Sequence, residues 1–202
     1  MKKIKHIALI LMTAVLMFSL TGCGEIKKAE SAVNGMFEAF KNLNFEAAQE
    51  YVNVDDIGTD ETWTNENLKV VMDAVFKNLN CEILSSEKID KNNVTVKANV
   101  TATDMKPVMQ EYMVKAISYA FENAFADPQP SEEETNQKLE EILVECASKP
   151  DLETVTNEVD IKVVKADDGK WNVEVDDAFE DALLGGLEQS VKDIENTLNA
   201  ED

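Results

Sequence analysis

The sequence predicts an α+β fold, in which helices cover one face of a small antiparallel sheet. Apolar residues recur at helical spacing along most of the chain, whereas two separate stretches are built from apolar residues alternating with polar ones. In each of these stretches two strands are separated by a short polar turn, which is the pattern of a hairpin. Strands that are neighbours in sequence therefore pair antiparallel, and the helices are left to cover the sheet.

Three helices are predicted before the first hairpin. The first extends to about Leu43, the second covers 45–52, and the third opens at Thr64 or Asn65, after a polar loop at 53–63. The predicted inward residues follow the i, i+3, i+4 pattern and are Val33, Met36, Phe37, Phe40, Phe45, Ala48, Val52, Leu68, Val71, Met72, Val75, Phe76 and Leu79.

Two hairpins supply the predicted strands. The first joins 81–89 to 94–103, and the second joins 159–163 to 171–175. Both turns are rich in Asp together with Asn or Gly, as tight turns require. The order of the strands in the sheet stays open, because a helical segment separates the hairpins.

That helical segment is predicted to contain two helices. One opens at Pro107 and ends before Asp127, and the next opens at a capping box of Ser131 with Glu134 and extends to Ala147. The first of them is expected to present one broad inward face, made of Met109, Tyr112, Met113, Ala116, Ile117, Ala120, Phe121 and Phe125. A last helix is expected over about 177–198, with a bend at the two glycines 185 and 186.

The first 22 residues have the three parts of an export signal. A start with three lysines precedes an uncharged apolar run from Ile7 to Leu20, shorter than the roughly 20 residues that a helix needs to cross a bilayer. The run closes with Leu20, Thr21, Gly22 and Cys23. These four residues resemble the lipobox of bacterial lipoproteins.

This resemblance implies export, cleavage before Cys23 and transfer of a diacylglyceryl group to its thiol. Acyl chains such as palmitate would then hold the protein on the outer face of the cell membrane, since two or more chains give stable anchoring. The expected division is a signal peptide at 1–22, the lipidated cysteine with a short tether at 23–28, and a single α+β domain at 29–202. An ordinary secretory signal with a cysteine nearby by chance is the alternative.

The mature chain is strongly acidic. All 40 Asp and Glu residues lie after the signal, which carries three of the 19 lysines, so 16 basic and 40 acidic residues remain, for a net charge of −24. A surface of that sign repels nucleic acid and anionic headgroups, which excludes a nucleic-acid role. Solubility outside the cell accounts for the charge, and attraction of cations or basic partners is the sharper alternative. Lysine without arginine suggests an AT-rich genome, such as that of a Gram-positive bacterium.

Two residue types are missing from the mature chain. The one histidine is His6, within the signal, and the chain has no arginine. A Ser-His-Asp triad, a Cys–His pair or a histidine zinc site cannot be built from it, nor can a guanidinium clamp for phosphates. Catalysis would have to use carboxylates, Lys, Tyr or Cys, and we expect no catalytic residue, metal or cofactor.

Cys81 and Cys146 remain once Cys23 is lipidated. Each lies among apolar neighbours, which favours buried free thiols, and a disulfide between them is the alternative in an exported domain. Neither has a histidine or a lysine cluster beside it in sequence to lower the pKa of its thiol.

Two stretches of the mature chain resemble a known fold. Residues 36–48 follow an opening helix and have the sequence MFEAFKNLNFEAA, and the closing hairpin contains DDGKWNV at 167–173. Helix and antiparallel strands in this arrangement resemble the nuclear-transport-factor-like (cystatin-like) cone fold, which many lipobox proteins of Gram-positive bacteria contain. The resemblance implies a cone-shaped curved sheet with a cleft. The two helices from Pro107 to Ala147 depart from the compact form of that fold, and we interpret them as an insertion. Enzymes of this fold usually have an Asp or His in the cone pocket, and no catalytic residue carries over to this chain.

One group of side chains is a candidate ligand pocket. Helices laid over a curved sheet commonly enclose a pocket, and walls rich in Met and aromatic residues adapt to varied ligands. The residues are Met72, Phe76, Tyr112, Met113, Phe121 and Phe125. A small apolar ligand or a peptide would suit them, and core packing is the alternative.

The acidic loop at 53–64 has a faint similarity to a calcium-binding loop through Asn53, Asp55 and Glu61. Its twelfth position is Thr64, where such a loop needs a bidentate glutamate. We therefore interpret the loop as a solvated acidic segment.

These observations predict a non-catalytic binding or interaction module on the outer face of a membrane. Its cleft would take a small apolar ligand, a peptide or another envelope protein. One alternative is a hydrolase or isomerase that uses carboxylates in the cone cleft, which a buried Asp or Glu with a raised pKa in the pocket would favour. The other is a structural envelope lipoprotein without a ligand pocket.

Overall fold

The structure is a computed structural model that describes residues 23–52 and 66–199. Within these ranges it has seven helices and four strands, and the predicted α+β class is confirmed. In chain order they are α1 (Cys23–Lys41), α2 (Phe45–Ala48), α3 (Glu66–Phe76), β1 (Asn80–Lys88), β2 (Asn93–Thr103), α4 (Met105–Asn123), α5 (Glu132–Ala147), β3 (Thr154–Lys165), β4 (Trp171–Glu174), α6 (Asp177–Leu183) and α7 (Leu187–Asn199).

The four strands form one curved, unclosed sheet in the order β1-β2-β3-β4, with every neighbouring pair antiparallel. Both predicted hairpins are confirmed. The sequence left the sheet order open, and the structure closes it by pairing β2 with β3, from Asn93 opposite Val164 to Thr103 opposite Thr154. The insertion of α4 and α5 thus leaves a simple meander intact.

The two faces of the sheet differ sharply in polarity. The inner face of β2 is fully buried and consists of Val94, Val96, Ala98, Val100 and Ala102. Its outer face is polar, and there Lys97 pairs with Glu158 across the strands (3.0 Å) while the hydroxyls of Thr101 and Thr156 lie 2.8 Å apart. Strict alternation in β2 therefore makes one face available to helices and the other to water.

Three helices cover the inner face. Helix α1 contacts all four strands, α3 contacts β2, and α6 contacts β2 and β3. The ring of Phe40 stacks on that of Phe76 with centroids 5.3 Å apart, which joins α1 to α3. Every fully buried member of the core cluster lies between Ala29 and Leu183, so a chain that begins at Gly24 keeps all of them.

Helix α1 begins earlier than the sequence predicts. It starts at Cys23, so the segment expected to be a short tether is helical. The reason lies in β1, where a bulge at Leu84 turns two polar side chains towards α1. Lys88 pairs with Glu25, and the hydroxyl of Ser86 donates to Glu30 (2.8 Å).

Three other elements differ in length from the prediction. Strand β3 is longer, because it pairs with the whole of β2 and continues through Asn157, where the apolar alternation breaks off. Helix α2 is shorter and ends at Ala48. The predicted last helix is divided in two, since Gly185 (φ +60°) and Gly186 (φ +79°) both adopt the left-handed region that stops a helix.

The lipobox residues Leu20, Thr21 and Gly22 and the acidic loop at 53–64 lie outside the described residues. Among the helices that the structure describes, none combines the length and the apolar character needed to cross a bilayer.

Candidate functional site

Helices α4 and α5 form a helical hairpin on the helical side of the molecule. Helix α4 packs against α5 and α7, and α5 packs against α3. Asp104 begins α4 by accepting a hydrogen bond from the backbone N–H of Lys106 (3.0 Å). Met105, Val108 and Met109 in the first turns are buried, so the start of α4 is anchored in the core.

The predicted capping box at the start of α5 is confirmed. The backbone N–H of Ser131 donates to Oε2 of Glu134 (2.8 Å), and the backbone N–H of Glu134 donates to Oγ of Ser131 (3.2 Å). At the other end of α5, Ile142, Cys146 and Ala147 are buried. The far end of α5 is thus fixed to the core, whereas its start is held by its own cap.

Ion pairs join the two helices at the end nearer the core. Nζ of Lys115 lies 3.0 Å from Glu111 on its own helix and 2.9 Å from Glu145 on α5. Lys149, just after α5, pairs with the same Glu111. Glu145 and then Glu111 raise the pKa of Lys115, while Lys149 and then Lys115 lower that of Glu111. These exposed pairs fix an antiparallel arrangement and add little stability individually.

An uncovered row of apolar side chains runs along the outer side of α4. Its members are Val114 (66% exposed), Ile117 (47%), Phe121 (73%) and Phe125 (95%), and we call them the apolar stripe. Steps of three and four residues place Val114, Ile117 and Phe121 on one side of α4, and Phe125 continues the spacing two residues after the helix ends at Asn123. Val114 lies nine residues after the buried Met105, about two and a half turns, so the stripe faces away from the core.

A pocket of about 410 Å³ lies beside the stripe, between α4, α5 and the segment that connects them. Its wall is mostly apolar, and alanines at 116, 120 and 124 keep the α4 side open. The lining residues are Ala116, Ile117, Tyr119, Ala120, Asn123, Ala124, Gln129, Pro130, Thr135 and Leu139. Ile117 belongs to both the pocket and the stripe, so the two form one continuous surface.

The structure separates the six residues predicted to line a ligand pocket. Met72 and Phe76 are buried in the core, and Tyr112 and Met113 are half-buried on α4. Phe121 and Phe125 point to solvent, so the expected inward position does not hold for these two. The broad predicted face of α4 is in fact two faces, because only the residues in phase with Met105 and Met109 meet the core.

Two further pockets lie around Tyr51. One, of about 340 Å³, is lined by Lys28, Lys170 and Trp171 among others, and a second, of about 330 Å³, lies between α1 and α2. The indole Nε1 of Trp171 is, within the described residues, a buried donor without a hydrogen-bond partner. That nitrogen is itself sealed from solvent, so it does not mark an accessible ligand site.

Metal-ligating and acid–base groups among the described residues bear on the catalytic alternative. They contain no group of three or more His, Cys, Asp or Glu side chains placed to hold a metal ion. Glu180 on α6 is the one described carboxyl whose pKa is clearly raised, by burial first and then by Glu188 and Asp177, and it does not line the pockets given above. Both cysteines are free, and burial raises the pKa of Cys81 to about 11, which disfavours a thiolate.

The stripe and the pocket were missed at the sequence level, although a signal for the stripe was present. The sequence-based prediction gives Val114 no role and turns Ile117, Phe121 and Phe125 towards the core. Their spacing is helical, yet about half a turn out of phase with Met105, Val108 and Met109. Two apolar faces on one helix predict a second contact surface in addition to the core.

Comparison with known proteins gives no family assignment for this chain. No protein-family model matches it, and no curated protein matches it. Among solved structures it is similar to YcdA, a candidate lipoprotein of Bacillus subtilis, at 20% sequence identity and a TM-score of 0.41. The match covers 66% of this chain and 41% of that chain, so this chain spans less than half the length of that protein. A similarity at this level carries no inference about function.

Proposed function

We propose that this chain is a membrane-anchored extracytoplasmic lipoprotein that acts as a non-catalytic binding module through its helical hairpin. The apolar stripe is the observation that carries the proposal. Phe121, which is 73% exposed, lies on one side of α4 with Val114 and Ile117, and Phe125, which is 95% exposed, follows in the turn after the helix. Exposed apolar residues scattered singly are ordinary, but a contiguous row beside a pocket is typical of an interaction site.

Binding fits the hairpin better than catalysis does. A carboxylate enzyme needs a buried Asp or Glu of raised pKa inside its pocket. Glu180 has the raised pKa but lies on α6, whereas the hairpin pocket is lined by Ala, Ile, Leu, Pro, Tyr and amide or hydroxyl side chains. Such a wall can bind an apolar group but supplies no carboxylate.

The proposed anchor rests on the lipobox-like sequence that ends at Cys23. Helix α1 begins at this residue, and its first turns are held to β1 by the pair of Glu25 with Lys88 and by the hydrogen bond from Ser86 to Glu30. A lipid on Cys23 would therefore be attached directly to the folded domain, which would place the domain close to the membrane surface.

Photocrosslinking in intact cells tests the binding surface. A photoreactive phenylalanine analogue replaces Phe121 in one strain and Ile89 in another, since Ile89 is also exposed (59%) but lies at the β1–β2 turn. We expect a discrete adduct, saturable on overexpression of the unlabelled chain, from position 121 and not from position 89. Equal adducts from both positions, or none from 121, would refute the hairpin as the binding surface.

Metabolic labelling with a palmitate analogue tests the anchor. We expect Cys23→Ala to reduce the label to background. The variant should either leave the membrane fraction for the medium or accumulate in the unprocessed form, with its signal peptide uncleaved. The matched control is Cys81→Ala, which removes a thiol from the same chain and should keep full label. Labelling that survives Cys23→Ala would rule out the proposed anchor.

A further inference from the structure

We infer that the occupant of the apolar stripe is a basic amphipathic helix of a partner protein. This inference rests on the proposed function and adds the chemistry of the partner. It follows from the shape of the hairpin and from the charge that surrounds the stripe.

The shape of the surface suits a helix. The stripe extends over 12 residues from Val114 to Phe125; its first three members lie on α4 at helical spacing, and Phe125 follows in the turn after the helix. A partner helix with apolar residues at i, i+3, i+4 and i+7 would match that row, and one large side chain could enter the neighbouring 410 Å³ pocket.

The charge of the hairpin selects the sign of that partner. Helix α5 contains six glutamates and one lysine in 16 residues, and three of the glutamates form its first turn. Because α4 and α5 are antiparallel, Glu132 and Glu133 lie at the same end of the hairpin as Phe125. Lys115 and Lys138 are already paired with glutamates. An apolar row on an acidic hairpin is complementary to a helix with a lysine- or arginine-rich border.

The same charge disfavours two other occupants. Anionic membrane lipids would be repelled by the net negative charge of the hairpin. A second copy would bring two acidic hairpins together, at a cost in like-charge repulsion.

Defined probes test the inference on the chain from Gly24 onward. The first probe is a synthetic 18-residue helix with a Leu and Phe stripe and lysines on its remaining positions, and the second has the same stripe with glutamates in place of the lysines. We expect the lysine peptide to bind at least tenfold more tightly in 50 mM salt, and we expect the difference to shrink in 500 mM salt as charges are screened. Fluorescence anisotropy of the labelled peptides measures both affinities.

Matched variants locate the binding. The double variant with Phe121→Ser and Phe125→Ser should reduce the affinity for the lysine peptide at least tenfold, because the partner would otherwise bury both exposed rings. Leu84→Ser with Ile89→Ser removes exposed apolar residues from β1 and from the β1–β2 turn and should leave affinity unchanged. All four side chains are exposed in the free protein, so circular dichroism and thermal melting should confirm that both variants fold. The triple variant with Glu122→Gln, Glu132→Gln and Glu133→Gln should reduce the difference in affinity between the lysine peptide and the glutamate peptide.

Each contrary outcome has a distinct meaning. Equal binding of the two peptides overturns the basic partner but leaves an apolar docking surface, and so leaves the proposed function intact. No binding of either peptide overturns the inference, and crosslinking at position 121 then decides the proposed function independently. Stripe-dependent binding to vesicles of anionic or zwitterionic phospholipid overturns it in favour of a lipid surface. Stripe-dependent dimerisation in sedimentation experiments overturns it in favour of a second copy.

Discussion

The body of the molecule and the helical hairpin treat their apolar residues in opposite ways. In the body, α1, α3 and α6 turn their apolar sides to the sheet, and phenylalanines such as Phe40, Phe76 and Phe179 are fully buried. In the hairpin, the fully buried residues of α4 all lie in its first turns, while Phe121 near its end and Phe125 in the turn that follows are exposed to solvent. The same residue type therefore stabilises the fold in one region and contributes little to it in the other.

This difference indicates where function and stability are separated. Burying a large apolar side chain contributes roughly 1.5–3 kcal/mol, and an exposed one forgoes that gain until something covers it. The polar outer face of the sheet is ordinary for an antiparallel sheet, but the apolar outer side of α4 is not. Substitutions should consequently have large effects on folding in the body and on binding in the hairpin.

The largest contrast is expected for one substitution made in both regions. Phe76→Ala should reduce the free energy of unfolding by about 3–5 kcal/mol, since it leaves a cavity beside the ring of Phe40. Phe125→Ala should change it by less than about 0.5 kcal/mol, because the ring is 95% exposed. Urea denaturation measures both values. A loss above 2 kcal/mol from Phe125→Ala would mean that the ring is covered in solution.

A second contrast lies at the point where the hairpin leaves the body. A Cβ on Gly185 would lie 1.8 Å from the carbonyl oxygen of Thr103, whereas one on Gly186 would meet nothing within 4 Å. Gly185→Ala should cost about 3 kcal/mol or more, and Gly186→Ala only about 1–2 kcal/mol for its positive φ. Thermal unfolding of the two variants distinguishes them, and equal losses of stability would contradict the close approach of Gly185 to Thr103.

Thr103 itself offers a smaller contrast. Its buried hydroxyl donates to the carbonyl of Ala74 (2.6 Å) and accepts from the amide of Asn78 (3.1 Å). Thr103→Val should cost about 1–3 kcal/mol, because it leaves buried polar groups without partners. Thr101→Val, on the outer face of the same strand, should cost less than about 1 kcal/mol, since water can replace its contact with Thr156. Chemical denaturation checks the difference, and a reversed order would contradict the burial of the Thr103 hydroxyl.

The smallest effects should have opposite signs in the two regions. Burial raises the pKa of Glu180 in the body, so its charged form is disfavoured on folding, and Glu180→Gln should stabilise at pH 7 by about 1 °C in Tm. Lys149 and Lys115 lower the pKa of Glu111 in the hairpin, so Glu111→Gln should reduce Tm by a similar amount, about 1 °C. Thermal melts at pH 7 and at pH 3 measure both shifts in Tm. Shifts of the same sign at pH 7 would contradict either the burial of Glu180 or the ion pairs of Glu111.

These two effects depend differently on pH. For Glu180 the folded-state pKa lies above the unfolded value, so the penalty is present above the folded pKa and is gone below the unfolded value of about 4.3. For Glu111 the folded-state pKa lies below the unfolded value, so its contribution is present above about pH 4.3 and is lost as pH falls through the folded pKa. Both differences from the parent chain should therefore shrink towards pH 3.

Much of the fold could be predicted from the sequence because the relevant signals are local. The alternation in β2, the turns of the two hairpins and the capping box of Ser131 and Glu134 each depend on residues within a few positions of one another. A disruption at the two glycines was also predictable, because glycine adopts positive φ readily, but the structure divides the helix there instead of bending it. Boundaries were less accurate: the structure begins α1 at Cys23, because distant residues of β1 hold its first turns.

The site was harder to predict, because exposure is not a local property. Helical spacing shows that Val114, Ile117 and Phe121 share one side of a helix, but not whether another element covers that side or that the helix ends before Phe125. The sequence by itself determined the α+β class, the two hairpins, the inserted helices and the acidic charge. Only the tertiary structure decided the pairing of β2 with β3, the close approach of Gly185 to Thr103, and which side of α4 meets the core. Each of these depends on residues far apart in the chain that come together only on folding.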